Sequence, residues 1–263
     1  MKVAFIGGTG FYEASFLKDP QEVIVSTPYG EVKTLQGKHG DKEIVFITRH
    51  GKGHALPPHL VNYRANIACL KRLGTKAILA SAAVGSLNMD MEPGHLVILD
   101  QFLDFTKGRP STFFDGGKMP VVHTDMSYPY CDFLRETLLK AGKSLNLSIH
   151  PSGTYVCTEG PRFESAAEIK MFRNLGAHVV GMTGVPEVVL AREAGICYAS
   201  VALVTNYAAG ISPTLLTHEE VVEMMKLNAQ NFIKLLLKTV EMLPQEWQCS
   251  CEKRPEAELI LRD

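Results

Sequence analysis

Six short turns rich in Gly, Ala, Ser or Thr each follow an apolar run, and they carry most of the side chains capable of chemistry. Ile6-Gly7-Gly8-Thr9-Gly10-Phe11 is the first. Glycines around a threonine let backbone N–H groups converge on an anion, and the Thr9 hydroxyl adds a donor. A plain glycine turn is the alternative. Thr48-Arg49-His50-Gly51-Lys52-Gly53-His54 is the second. Its guanidinium offers a planar fork of donors that suits phosphate, with a basic surface turn as the bland reading. Ser81-Ala82-Ala83-Val84-Gly85-Ser86 is a third, with small residues that let a ligand approach the backbone. The others are Thr158-Glu159-Gly160-Pro161-Arg162-Phe163-Glu164, Gly181-Met182-Thr183-Gly184-Val185-Pro186-Glu187 and Thr205-Asn206-Tyr207-Ala208-Ala209-Gly210. One such turn is usually only a turn. Six of them, each after a strand, predict a ligand site along the carboxyl edge of a sheet.

Two rival chemistries fit poorly. The register Gly8-Thr9-Gly10-Phe11-Tyr12-Glu13 lacks the last glycine of a dinucleotide fingerprint, and no Walker pattern exists. This disfavours a Rossmann-type dehydrogenase. His50, His54 and His59 invite a zinc reading, but they lie in a Gly/Pro-rich stretch and no Glu follows the first His as in H-E-x-x-H. No metal is expected there.

The elements that must position these turns alternate between two periodicities. Strand-like runs fall at Lys2–Ile6, Glu43–Thr48, Lys76–Ala82, His95–Asp100, Gly153–Cys157, His178–Met182 and Tyr198–Thr205. Between them, His59–Leu73 carries Leu60, Tyr63, Ile67 and Leu70 on one helical face, with Gly74 as a stop. Ser165-Ala166-Ala167-Glu168 is a capping-box pattern opening a helix that ends at Gly176, and Pro186–Ala194 has Pro near its start and Gly195 after it. Thr217-His218-Glu219-Glu220 opens the longest helix, to about Leu243. This alternation predicts an α/β fold with a mostly parallel, buried sheet.

The 263 residues include 46% hydrophobic side chains, ample for a full core, and carry a net charge of -1. That balance gives no reason to expect nucleic-acid or polybasic membrane binding. No secretory signal or membrane span is visible, so a cytoplasmic location is expected. With no repeat or linker, a single domain over 1–244 is expected, followed by a tail, 245–263, outside the core. Cys69, Cys131, Cys157 and Cys197 read as small core residues. Cys249-Ser250-Cys251 reads either as an exposed thiol pair able to form a strained disulfide or as part of a disordered tail.

Taken together, Arg49-His50-Gly51, Val61-Asn62-Tyr63-Arg64-Ala65-Asn66, Glu159-Gly160-Pro161-Arg162-Phe163 and Gly181-Met182-Thr183 running into Val185-Pro186-Glu187 resemble the nucleoside phosphorylases. That family includes trimeric purine nucleoside and methylthioadenosine phosphorylases. The match runs from Ile6 to the helix after Thr217, nearly the whole chain. The resemblance implies one α/β domain with a mixed, mostly parallel central sheet flanked by helices. It implies no cofactor, with inorganic phosphate as a co-substrate that cleaves a purine nucleoside to base and ribose 1-phosphate. By position, Thr9, Arg49, His50, Ala82, Ala83 and Thr183 would hold phosphate, the alanines through backbone N–H groups. Met182 would lie under the ribose and Phe163 near the base. His123 would reach a neighbouring subunit's site, which implies a homotrimer or a homohexamer.

Base choice departs from the adenine branch. Members specific for adenine carry Thr-Asp-x-Asp, where this chain has Thr205-Asn206-Tyr207-Ala208, and Glu164 stands where they usually have Ser. Asn206 can donate to O6 and accept from N7–H of a 6-oxopurine, and Glu164 can accept from N1–H. Adenine would mismatch both, at ~1–3 kcal/mol per buried group. Asn206, Glu164 and His50 are therefore the expected catalytic set, with Ala208 and His218 lining the substrate. His218 would hydrogen-bond a 5′-hydroxyl, favouring inosine and guanosine, while Leu215 and Leu216 leave a 5′-methylthio nucleoside open. A catalytically idle purine-binding relative is the remaining alternative.

Overall fold

The computed structural model describes residues 1–8, 17–51, 53, 55–117, 119–212, 217–252 and 254–262, and of His218 only the backbone. Among the described residues, eleven strands form one sheet. They are β1 (Lys2–Gly7), β2 (Lys18–Thr27), β3 (Gly30–His39), β4 (Lys42–Thr48), β5 (Ala77–Ser86), β6 (Leu96–Ile98), β7 (Gln101–Phe105), β8 (Ile149–His150), β9 (Thr154–Thr158), β10 (Val179–Gly181) and β11 (Cys197–Tyr207). The order is β2-β3-β4-β1-β5-β10-β9-β7, and β11 pairs with both β5 and β6. Pairs β1–β4, β1–β5, β5–β11, β9–β10, β7–β9 and β6–β8 are parallel, and the rest are antiparallel. The sheet is therefore mixed and mostly parallel.

The central strands read as unbroken apolar runs because both of their faces are buried. Along β1, Ala4 and Ile6 enter one core while Val3 and Phe5 enter the other. In β11, Tyr198, Ala202 and Val204 face the first core, and Ala199, Val201 and Leu203 face the second. Helices α1 (Tyr63–Arg72) and α4 (Gly184–Glu193) cover the first core through Ile67, Leu70 and Leu190. Helices α2 (Asp132–Ser144) and α5 (His218–Met242) cover the second through Leu134, Leu138, Phe232 and Leu236. Helix α3 (Ala166–Asn174) packs Ile169 and Phe172 over Val156 and Val180 near β9 and β10.

Local chemistry sets the helix ends. Ser165 and Glu168 form the reciprocal capping box, and Thr217 Oγ1 accepts from the Glu220 N–H. The stretch His59–Leu73 is not one helix. Asn62 caps α1 by accepting from the Ala65 N–H, so the chain makes a 3-10 turn at Pro58–Leu60 and starts afresh. Within α4, Val185 stays extended before Pro186, as the proline ring demands, so regular helix begins at Pro186.

The tail departs from the expectation. It packs on the body rather than standing outside it. Trp247 stacks on Phe133 with ring centroids 5.1 Å apart, and Ala257 and Ile260 are buried on a 3-10 helix, Pro255–Leu261. Ile260 joins the first core, where this 3-10 helix packs on α1 and removes apolar surface from water. Nor are the tail cysteines an exposed pair. Cys251 is buried and Cys249 partly so.

Candidate active site

A cleft of 430 Å³ opens at the carboxyl ends of the strands, where the turns were expected to meet. Its wall draws on Gly8 after β1, Arg49 and His50 after β4, and Ala83 to Gly85 at the end of β5. Phe163 and Glu164 come from the turn after β9, Met182 and Thr183 from the turn after β10, and Asn206 and Ala208 from β11 and beyond. Val221 of α5 closes one side. Residues scattered over the whole sequence meet here because β9 and β10 run antiparallel to β5, so their carboxyl ends come back to where β1, β4, β5 and β11 end.

Arg49 is held rather than loose. Its Nε and Nη2 donate to Glu187 at 2.6 and 2.7 Å, and Nη1 donates to the Ser81 carbonyl at 2.9 Å. Burial alone would lower its pKa, but the Glu187 carboxylate outweighs burial and the net shift is upward. Glu187 is fully buried and also accepts from the Tyr198 hydroxyl at 2.8 Å. A planar guanidinium has five N–H groups, so two remain without a partner among the described residues. Gly8 permits this approach. A Cβ there would stand 2.9 Å from Arg49 Nη1. The Gly8 N–H is itself fixed by Ser81 Oγ at 2.9 Å.

His50 lies beside Arg49, and its Nδ1 is 2.8 Å from the Leu56 carbonyl. A carbonyl can only accept, so that bond places the proton on Nδ1 and sets the ring's orientation. Thr183 is buried and lines the same cleft. Its N–H and that of Gly184 both donate to the Tyr155 hydroxyl, at 3.0 and 3.2 Å.

The same cleft holds the base-reading candidates. Asn206 Nδ2 donates to the Tyr207 carbonyl at 2.8 Å, and Thr205 Oγ1 donates to Asn206 Oδ1 at 2.7 Å. The Tyr207 carbonyl fixes which side of the amide is nitrogen. One N–H and one lone pair are left to face a ligand. Gly85 makes room where β5, β10 and β11 converge, since a Cβ there would meet Asn206 Nδ2 and Val180 Cγ1 at 3.3 Å each. Glu164 Oε1 accepts from the Thr158 hydroxyl at 2.5 Å. Burial raises the Glu164 carboxyl above its ordinary value, against the lowering effect of that hydrogen bond. Phe163 is 40% exposed, with its ring available to a planar ligand.

Not every expected residue reaches the wall. Ala82 packs into the first core and does not line the cleft, although Ala83 does. His123 is exposed on the segment between β7 and α2, outside the cleft wall. Thr9, Leu215 and Leu216 lie outside the described residues, as does the side chain of His218.

Two buried residues escaped the sequence reading. Glu187 belongs to a turn that was singled out, but its partner Arg49 is 138 residues away. Arg109 sits in a loop that carries no motif. Its Nη1 donates to the carbonyls of Met182 and Val185 at 2.7 and 2.8 Å, and its Nη2 to those of Thr158 and Glu159 at 3.2 and 2.8 Å. Its Nε reaches Glu159 Oε2 at 3.2 Å. One guanidinium thus ties the turn after β9 to the turn after β10. A lone Arg between Gly108 and Pro110 gives a sequence reader no signal of this.

Known proteins match this arrangement closely. The chain is 55% identical over 252 residues to the probable 6-oxopurine nucleoside phosphorylase of Dictyoglomus turgidum, covering 96% of this chain and 95% of that one. It is 52% identical over 256 residues to the 6-oxopurine nucleoside phosphorylase of Pyrococcus furiosus, covering 95% and 96%. The solved methylthioadenosine phosphorylase of Schistosoma mansoni, in complex with adenine, superposes with a TM-score of 0.92 at 34% identity, covering 99% and 97%. The family model described as the phosphorylase superfamily matches residues 2–241. With that span, these identities and the shared fold, the chain belongs to the phosphorylase superfamily.

Proposed function

We propose that this enzyme cleaves 6-oxopurine nucleosides with inorganic phosphate, releasing the free base and ribose 1-phosphate in cytoplasmic purine salvage. The observation that carries the reading is that Asn206 and Glu164 line the same cleft as Arg49, His50 and Thr183. Groups suited to an anion and groups suited to a 6-oxopurine therefore share one cavity.

Phosphate would sit against Arg49, His50 and Thr183, with Thr9 and the backbone around Ala82 and Ala83 as further donors. Met182 would lie under the ribose. A phosphate oxygen attacks the anomeric carbon as the bond to N9 breaks, and that electron pair leaves with the base. Positive charge grows on the sugar beside the phosphate, and negative charge grows on the purine beside Asn206. Preorganised groups at both places lower the barrier without a covalent protein intermediate. The remaining Asn206 N–H would donate to O6, and its remaining lone pair would accept from a protonated N7. Glu164 would accept from N1–H, and from the 2-amino group of guanine. Inosine and guanosine are the proposed substrates, phosphate is the co-substrate, and no cofactor is needed. His123, exposed in the single chain, would complete a neighbour's site in a trimer or a hexamer.

The test is hypoxanthine release from inosine with and without phosphate, run beside adenosine, 5′-methylthioinosine and 5′-methylthioadenosine. Phosphate-dependent release favouring inosine is expected. Release without phosphate, or preference for an adenine nucleoside, overturns the reading. Preference for 5′-methylthioinosine keeps the base assignment and changes the sugar.

A further inference from the structure

Four cysteines that the cleft does not use converge at the far end of β11. Cys131 is the N-cap of α2, Cys197 opens β11, and Cys249 and Cys251 come from the tail. All four sulfurs lie within 4.8 Å of one another, and Cys197 Sγ is 3.2 Å from Cys249 Sγ. All four are free cysteines in the structure.

Tetrahedral zinc bound by four cysteines has Zn–S bonds of ~2.3 Å, which separates the sulfurs by ~3.8 Å. To reach that geometry no pair needs to close by more than about 1 Å, and the Cys197–Cys249 pair needs to open by about 0.6 Å. Four sulfur donors select soft or borderline cations over calcium and magnesium. A second observation asks for negative charge at this place. Arg192 is 5% exposed, and among the described residues its guanidinium has one hydrogen-bond acceptor, Cys251 Sγ, at 3.4 Å from Nη1. Its Nε is buried with no partner. Neutral thiols give that buried guanidinium only a weak acceptor, whereas four thiolates around a divalent metal carry a net negative charge.

Position decides the role. Cys197 and Asn206 stand at opposite ends of β11, nine residues and therefore ~30 Å apart. Four protein ligands leave no open position for substrate. We propose that Cys131, Cys197, Cys249 and Cys251 bind one soft divalent cation, zinc by ligand class, as a structural clip. It joins the tail to the start of α2 and the start of β11. Binding releases the thiol protons to solvent and changes no oxidation state. Pairing the same sulfurs into disulfides would instead need an oxidant.

The test uses the full chain, reduced with a phosphine and stripped of metal, then titrated with Co(II) and afterwards with Zn(II). Expected are one Co(II) per chain, intense sulfur-to-cobalt charge-transfer and tetrahedral d–d absorption, and displacement by zinc. Free zinc at ~100 times its Kd should raise Tm by about 5–10 °C. The double variant Cys249→Ser/Cys251→Ser should lose the charge-transfer bands, while Ser250→Ala keeps them. Protein isolated with these four sulfurs paired as disulfides overturns the proposal, because the tail is then held covalently and not by a metal. Reduced wild-type protein that takes up no Co(II), or bands that persist in the double variant, overturns it. The wild-type titration decides even if the double variant fails to fold.

Discussion

Replacing Asn206 by Asp tests the base assignment at a single atom. In the structure Asn206 Nδ2 donates to the Tyr207 carbonyl at 2.8 Å. In Asn206→Asp an oxygen takes that place, and two acceptors face each other at hydrogen-bond distance. A proton between them removes the repulsion, so the introduced carboxyl's pKa must rise. Whether that proton stays on the Tyr207 side or the group ionises, the donor aimed at O6 is gone. Losing one donor to developing charge costs ~2.7–4 kcal/mol, or about 10²–10³ in turnover. The kcat/KM for inosine should therefore fall by ~10²-fold or more. Adenosine presents a 6-amino donor that an Asp oxygen can accept. The adenosine-to-inosine ratio should therefore rise. Adding Ala208→Asp should push the ratio further the same way. The assay is kcat/KM for both nucleosides at saturating phosphate across pH, with thermal melting as a control for folding. If wild-type enzyme already prefers adenosine, or if the folded variant keeps the wild-type ratio, Asn206 does not read the base.

Glu187→Gln removes the charge behind Arg49 and places an amide N–H against a guanidinium N–H. It should cost ~3–5 kcal/mol of stability, as broken buried pairs do, and raise the KM for phosphate more than that for inosine. Equal phosphate kinetics would detach this pair from the anion site. Glu164 must be ionised to accept from N1–H, and burial raises its pKa. Activity is therefore present above that raised value and lost as pH falls through it. The acid limb of kcat/KM for inosine should have its midpoint above 4.5, the ordinary value. Glu164→Gln should lower kcat/KM and abolish that limb; an identical acid limb in the variant would show that another group titrates. His123→Ala should raise the nucleoside KM by about tenfold, the cost of one hydrogen bond, while subunits stay associated. A fully active monomer in dilute solution would remove His123 from a shared site.

The parts of the fold legible in the sequence are those where burial is symmetric. β1, β5 and β11 are buried on both faces, so their residues form apolar runs that announce a strand wherever they occur. The hairpin β2–β3 does not announce itself. Lys18–Thr27 is mostly exposed and carries Lys, Asp, Gln and Glu through its first half, so only its pairing with β3 makes it a strand. Helix α2 had a usable signal in Leu134, Thr137, Leu138 and Ala141, spaced for one helical face and all buried. The turns of the cleft could be named from sequence because each follows a strand. What fixes their side chains could not. The Arg49–Glu187 pair and the Cys131–Cys197–Cys249–Cys251 cluster join residues far apart in the chain, and local pattern carries no information about such pairings. The tail misled for a related reason. Its buried residues, Cys251, Ala257 and Ile260, are too sparse to look like a core element.

Arg109 gives the cleft a mechanical property that no single contact in its wall has. Its guanidinium bridges the turn that carries Phe163 and Glu164 to the turn that carries Met182 and Thr183. Neither turn can shift alone without stretching bonds to the other. Under the proposed function, an anion settling against Thr183 would also steady the turn that meets the base, and a seated purine would steady the turn that meets the anion. By linkage, the factor by which either ligand tightens the other is the same in both directions. A short loop with no residue in the cleft wall makes the two halves of the cavity one recognition unit, so order of addition changes the path to the ternary complex and leaves its free energy unchanged.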